Sequence, residues 1–147
     1  MRTVSVTESI LVHCPCERVW DFTQDYRLRP EWDSSVLEAA VIEWGPVPKV
    51  RVRFSGGVRA VLQYKEFDRP RRTSLALQDV ESMYISGGGG SWSYEEHIGG
   101  TIWTQTNTLI FKTGLWSRLL ASIVRRQLRA STRRAMKRAR NMLEQTA

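Results

Sequence analysis

The sequence predicts an α+β domain in which a meandering antiparallel sheet of about seven strands is interrupted by a short helical segment and completed by a long C-terminal helix. Three observations predict it. Short runs rich in β-branched and aromatic residues recur through the middle of the chain. The gaps between them are hairpin-length and rich in Gly and Pro, too short for the crossover helices that a parallel sheet requires. The last stretch, from Leu115 to Gln145, runs without an interior Gly or Pro. A length of 147 residues suits one domain spanning 1–147 and one core.

The first strand is TVSVTESILVH, which opens with strict alternation. HCPCERVWDF follows and holds the only two cysteines and one of the two histidines. Val19, Phe22 and Tyr26 stand at i, i+3 and i+7, one face of a helix, and Pro15 fits the first helical position, where its missing N–H costs nothing. That places Cys14 at the cap and Cys16 in the first turn of a helical segment running from Pro15 to Trp32, broken near Asp25 and Pro30. A zinc site needs four ligands, and His13, Cys14, Cys16 and His97 are the only soft set in the chain. Because adjacent residues rarely converge on one ion, the expectation is a helix start with reduced, semi-buried thiols and no metal. The remaining strands are VLEAAVIEW, VRVRF, VRAVLQYKEF, TSLALQDV, SWSYEEH and TIWTQTNTLIF, separated by GPVPK, SGG, DRPRR, SGGGG and IGG.

Charge is concentrated at one end. From Leu115 onward Arg118, Arg125, Arg126, Arg129, Arg133, Arg134, Lys137, Arg138 and Arg140 stand against Glu144 alone, so this segment supplies the whole net charge of +7. No run approaches the roughly 20 apolar residues of a membrane span, and MRTVSVTESI lacks the basic and apolar regions of a signal peptide. The expectation is a cytoplasmic protein.

The strand, then CPCERVWDFTQDYRLRPEWDSSV, then a Gly-punctuated sheet with GGSWSYEE and GGTIWTQTNTLIF, then a long last helix, resembles the START-like (SRPBCC) superfamily in its polyketide cyclase/dehydrase-related branch. Pro15, Val19, Trp20, Phe22, Asp25 and Trp32 match the family pattern, and the likeness covers essentially the whole chain. It implies a helix-grip (START/Bet v 1-like) fold, with a curved sheet wrapped around the last helix and a cavity between them. Members of the superfamily include aromatase/cyclases, lipid carriers and hormone receptors, so the resemblance specifies fold better than function.

In such a fold the inward stripe of the last helix would run Trp116, Leu119, Leu120, Ile123, Val124, Leu128, Ser131, Ala135, Ala139, Met142 and Leu143, narrowing to small residues in its middle. Unfilled volume there would hold a ligand, unless strand side chains such as Trp92 or Trp103 close it. The candidate lining is Phe22 and Trp32 from the helical segment, Val61, Gln63, Trp92, Trp103 and Asn107 from strands, and Leu128, Ser131 and Ala135 from the helix. The fourth strand alternates Arg59, Val61, Gln63, Lys65 and Phe67 against Ala60, Leu62, Tyr64 and Glu66. The resemblance implies that Lys65 takes the place of the basic residue with which aromatase/cyclases polarise a poly-β-ketone. An inward Lys65 favours chemistry and an outward one favours carriage. Where those enzymes carry an aromatic in the short second helix this chain has Arg29, and in place of their polar residue on the last helix stands Ala135.

The expected function is binding of a hydrophobic or aromatic small molecule (polyketide, lipid or isoprenoid), with no cofactor. The alternative is a cyclase, aromatase or dehydratase acting on a bound poly-ketone. A third reading is an interaction module whose basic face, with Arg125, Arg126, Arg129, Arg133 and Lys137, meets an anionic membrane surface or RNA. Nucleic acid ranks last, because that face lacks interleaved aromatics.

Overall fold

The computed structural model describes residues 2–112 and 118–146. Its elements are β1 (Arg2–Val12), α1 (Cys16–Thr23), α2 (Arg29–Trp32), β2 (Val36–Glu43), β3 (Lys49–Phe54), β4 (Val58–Asp68), β5 (Arg72–Glu81), β6 (Ile85–His97), β7 (Gly100–Phe111) and α3 (Arg118–Gln145). The seven strands form one antiparallel sheet in the order β1-β7-β6-β5-β4-β3-β2, the expected meander with β1 carried across to pair with β7. Pro15 is the N-cap of α1 and Cys16 its first helical residue, one position later than the spacing suggests. Pro30 lies in the first turn of α2, where its missing N–H is harmless, so the break between the helices falls before it.

One expected loop is strand. Gly87 to Gly90 pair with β7 on one side, and Gly89 and Gly90 also pair with Ala76 and Leu75 of β5 on the other, so the SGGGG run lies inside β6 and the true connection to β5 is 82–84. The strand needs glycine because neighbours crowd it. A Cβ at Gly88 would stand 2.4 Å from the Thr108 carbonyl oxygen, and one at Gly89 would stand 2.6 Å from that of Leu75.

β4 carries a bulge between the pairs Tyr64↔Leu75 and Glu66↔Ser74. The extra residue is Lys65, and the shift brings both Tyr64 and Phe67 to the concave face, ring edge to ring face at 5.1 Å. The parity facing inward is therefore Ala60, Leu62 and Tyr64, all buried, while Arg59 and Lys65 are exposed.

α3 covers the β1–β7–β6 half of that face. Leu128, Thr132, Ala135, Met136, Ala139 and Leu143 form its inward row, with Thr132, Ala135, Met136, Ala139 and Leu143 buried. The expected stripe drifts out of phase with this row. Leu119 precedes Leu128 by nine residues, about two and a half turns, and so faces the opposite side; Leu119 and Ile123 are exposed, as is Leu120. Leu115 and Trp116 lie outside the described residues. The main core joins α3 to Val12, Trp92, Tyr94 and Trp103 of the sheet and to Val19, Trp20 and Trp32 of α1 and α2. A second cluster, Tyr26, Val36, Val50, Val52, Leu62 and Tyr64, lies under the connection between α1 and α2.

Candidate functional site

A cavity of about 100 Å³ lies on the concave face between these clusters. Leu62 and Tyr64 of β4, Leu75 and Leu77 of β5, Leu109 of β7 and Leu128 of α3 make it apolar, and Trp92, Asn107, Tyr26 and Arg29 close it. Gly90 opens the space. It pairs with the inward-facing Leu75 and Asn107, so its missing side chain would have projected inward, and a Cβ there would meet nothing nearer than Asn107 Oδ1 at 3.4 Å.

Arg29 is the cation of this cavity. Its guanidinium lies 4.7 Å from the Trp92 ring centre, 4.9 Å from Trp32 and 5.8 Å from Tyr26, within cation–π reach of all three. Nε donates to Asp33 Oδ2 at 2.9 Å, with the two side chains only 12% and 9% exposed. The other carboxylate oxygen accepts from the Ser35 amide at 3.1 Å and from its hydroxyl at 2.6 Å. Burial alone would lower the arginine pKa; the carboxylate of Asp33 and the phenol of Tyr26 more than offset it, so Arg29 stays charged. The Trp92 plane is set by a second chain. Its Nε1 donates to Asn107 Oδ1 at 3.1 Å, and Asn107 Nδ2 donates to Gln105 Oε1 at 2.9 Å and to Thr132 Oγ1 of α3 at 3.3 Å. Behind this stack, in the core, the buried donors Trp32 Nε1 and Gln105 Nε2 have no hydrogen-bond partner.

A directional phenol chain runs along the far wall. Tyr26 OH bonds to Tyr64 OH, which donates to Gln24 Oε1 at 2.9 Å; Gln24 Nε2 donates to Tyr94 OH at 2.8 Å, and Tyr94 meets Thr23 Oγ1 at 2.7 Å. Thr23 Oγ1 in turn donates to the Val19 carbonyl at 2.8 Å, which orients every donor upstream. Burial raises the pKa of all three tyrosines, that of Tyr64 well above its ordinary value. A folded pKa above the unfolded value means that the native state holds its protons more tightly, so the contribution is whole below the unfolded value of about 10 and is lost as pH rises above it. The urea midpoint is therefore expected to fall steeply above pH about 10, and Tyr64→Phe is expected to make that fall shallower. An unchanged alkaline slope in Tyr64→Phe would contradict this account.

Tyr26 also lines an open groove of about 620 Å³ with Trp20, Gln24, Ala39, Val41, Trp44 and Phe67. Tyr26 thus stands on the wall of both spaces.

Of the residues proposed from the sequence, Trp92, Asn107 and Leu128 meet on the cavity wall. Trp32, Trp103 and Ala135 belong to the closed core, where the three tryptophans Trp32, Trp92 and Trp103 pack with ring centres 5.6 to 6.2 Å apart and fill the volume beneath the small residues of α3. Phe22 packs against that core from outside and Ser131 is half-buried, neither lining the cavity. Val61, Gln63 and Lys65 stand on the outward parity of β4 and are corrected accordingly; Lys65 is exposed on its bulge. The wall also holds residues outside the sequence-based expectation: Arg29, Tyr26 and Tyr64, and the leucines Leu62, Leu75, Leu77 and Leu109. The more apolar parity Ala60-Leu62-Tyr64 was the available signal for Tyr64, and nothing local marks Arg29 as buried. Cys14 and Cys16 are buried, the former with its thiol 3.8 Å from the Leu143 carbonyl, and His13 Nδ1 lies 3.1 Å from the Gly99 carbonyl. Among the described residues no three His, Cys, Asp or Glu side chains converge as metal ligands.

The basic face is also revised. Arg129 and Arg133 both pair with Glu8 of β1, at 3.3 and 3.0 Å, and that carboxylate is only 12% exposed. Arg125, Arg126 and Lys137 remain exposed.

Comparison with known proteins bears on this geometry. A family model described as polyketide cyclase/dehydrase and lipid transport matches residues 3–144. The structure of the Zhui aromatase/cyclase from Streptomyces sp. R1128 superposes with a TM-score of 0.81 at 12% identity, covering 97% of this chain and 94% of that one. A START superfamily protein from Mycobacterium smegmatis gives 0.79 at 11% identity, covering 97% and 99%. The di-domain ARO/CYC StfQ from the steffimycin biosynthetic pathway gives 0.77 at 14% identity, covering 98% of this chain and 52% of that one. No curated protein matches the chain in sequence.

Proposed function

The chain belongs to the polyketide cyclase/dehydrase and lipid transport family, and on that premise we propose that it binds an apolar or aromatic small molecule, of polyketide, lipid or isoprenoid type, between sheet and α3. The observation that carries this reading is the apolar cavity beneath Gly90, closed by the Arg29–Trp92 stack. A flat ring would lie against Trp92, beside the Arg29 guanidinium.

At about 100 Å³ the cavity is too small for the whole molecule, since sites for drug-sized ligands start at roughly 300 Å³. Tyr26 is the partition to the groove of about 620 Å³. Rotation of its side chain, at the expense of its hydrogen bond to Tyr64 and its contacts with Arg29, would join the two spaces. The ligand's ring then occupies the cavity and its remainder the groove.

Carriage is preferred to catalysis because Lys65 points outward. One observation favours the enzyme reading: a buried cation does face the cavity, on α2 instead of β4. Its charge is already balanced by Asp33, however, which weakens its pull on a developing enolate. The test is titration of an anthraquinone-type polyketide analogue by quenching of tryptophan fluorescence. Gly90→Leu fills the void and is expected to weaken binding about a hundredfold with little change in stability, while Lys65→Met binds as the wild type. A folded Gly90→Leu protein with undiminished affinity would overturn the assignment. Accelerated cyclisation of a poly-ketone by the wild type, abolished in Arg29→Met, would establish the enzyme.

A further inference from the structure

We propose that the first turns of α3 and the β5–β6 turn dock on an anionic lipid bilayer, with the outward face of α3 lying over the headgroups. The outward row of α3 reads Leu119, Ile123, Arg126, Ala130, Arg134, Lys137 and Asn141, at successive spacings of three and four residues. It runs directly opposite the inward row of Leu128, Thr132, Ala135, Ala139 and Leu143. The row is apolar at its start and basic beyond, with Leu119 72% and Ile123 44% exposed.

The sheet extends the apolar end. Leu128 lines the cavity together with Leu77 and Leu109, near the ends of β5 and β7, so residues one to two turns before Leu128 reach the level where those strands stop. There the β5–β6 turn presents Met83 and Tyr84, 80% and 68% exposed. That turn is pinned rather than loose. Ser82 Oγ accepts from the amides of Tyr84 and Ile85, each at 3.1 Å, the Lys112 amide donates to the Tyr84 carbonyl at 2.8 Å, and Lys112 Nζ donates to the Ser82 carbonyl at 2.6 Å. Two large apolar side chains are therefore held in water by the backbone beneath them, next to a lysine. Exposed apolar residues also stand at the opposite end of the sheet, Ile98 at the β6–β7 turn and Trp44 at the β2–β3 turn, the latter lining the groove beside Tyr26.

Charge selects the occupant. α3 carries no acidic residue before Glu144, and among the described residues Arg125, Arg126, Arg134, Lys137 and Arg138 have no carboxylate partner, whereas Arg129 and Arg133 are held by Glu8. An uncompensated basic row continuous with an aliphatic tip matches a surface that is anionic outside and hydrocarbon within. RNA would satisfy the cations and leave Leu119, Ile123 and Met83 in water. The docked end is also the end where the cavity lies, so a carrier would meet its apolar cargo there. Docking rests on the carrier reading for its purpose, though not for its physical basis.

The experiment is co-sedimentation of the whole protein with vesicles of phosphatidylcholine alone and of equal parts phosphatidylcholine and phosphatidylglycerol. Binding is expected only to the anionic vesicles and should weaken with salt. Leu119→Asp with Ile123→Asp is expected to lower partitioning about tenfold, and Arg126→Gln with Lys137→Gln about fivefold for each charge removed. All four sites are exposed, so unchanged circular dichroism is expected; Ile98→Asp should bind as the wild type. Gly90→Leu should also bind vesicles normally, which separates a failure of docking from a failure of the cavity. Absence of binding to anionic vesicles, wild-type partitioning of the double Asp variant, or tighter binding to single-stranded RNA than to vesicles would each overturn the proposal.

Discussion

Replacing Asp33 by Ala is expected to destabilise the protein by about 3 to 5 kcal/mol, the range for stripping one partner from a buried ion pair. Arg29 cannot shed its proton, and its side chain is 12% exposed beneath Trp32 and Trp92, so removal of the carboxylate leaves a cation with ring faces as its main compensation. Those faces recover only part of the loss, since a desolvated cation–π contact is worth roughly 2 kcal/mol. The double variant Asp33→Ala, Arg29→Met should regain most of the stability, because it removes the stranded charge as well. Urea denaturation of the wild type, both single variants and the double variant gives the coupling directly. If Asp33→Ala alone lies within about 1 kcal/mol of the wild type, the guanidinium must be hydrated in solution. The cavity wall would then be open to water at Arg29, and the closed partition at Tyr26 would need revision.

Trp103→Ala is expected to cost about 3 to 5 kcal/mol. Trp103 is fully buried, with ring centres of Trp32 and Trp92 at 5.6 Å and a stacked Tyr94 at 6.4 Å. Ala135 and Ala139 lie above this ring cluster and are too short to collapse into the vacated space, which leaves Met136 as the one α3 side chain there able to fill part of it. The loss should appear as a lowered urea midpoint with an unchanged slope. Because the void would be apolar and adjoin the Trp92 wall, the surviving folded protein should also take up small aromatics such as benzene, seen by nuclear magnetic resonance. A loss below about 1 kcal/mol would mean that the cluster repacks and that the core beneath α3 is not fixed by its tryptophans.

Features readable along the chain and features that arise only on packing are separated by the range of the forces involved. Strand existence, hairpin connections and the long last helix were legible because alternation, turn residues and the absence of Gly and Pro act within a few residues; each of the seven strands falls on or beside a run that the sequence shows. The family pattern around Pro15, Trp20 and Trp32 was legible for the same reason, being contiguous in the chain. Three features were not. The inward placement of Phe67 depends on a bulge at Lys65, and that bulge exists only in the pairing with β5. The glycine run reads locally as a loop, yet it becomes strand because β5 and β7 come too close on either side for anything larger. The phase of α3 is set by where the sheet ends: its first apolar residues extend past the strands, so Leu119 and Ile123 face outward, while Thr132 and Met136, absent from the stripe read off the sequence, are buried. The site follows the same rule. Trp92 and Asn107 could be proposed from their strands, but the burial of Arg29 and the capture of Arg129 and Arg133 by Glu8 arise from residues far apart in sequence. Long-range contact decides which charged groups leave water, and periodicity carries no record of it.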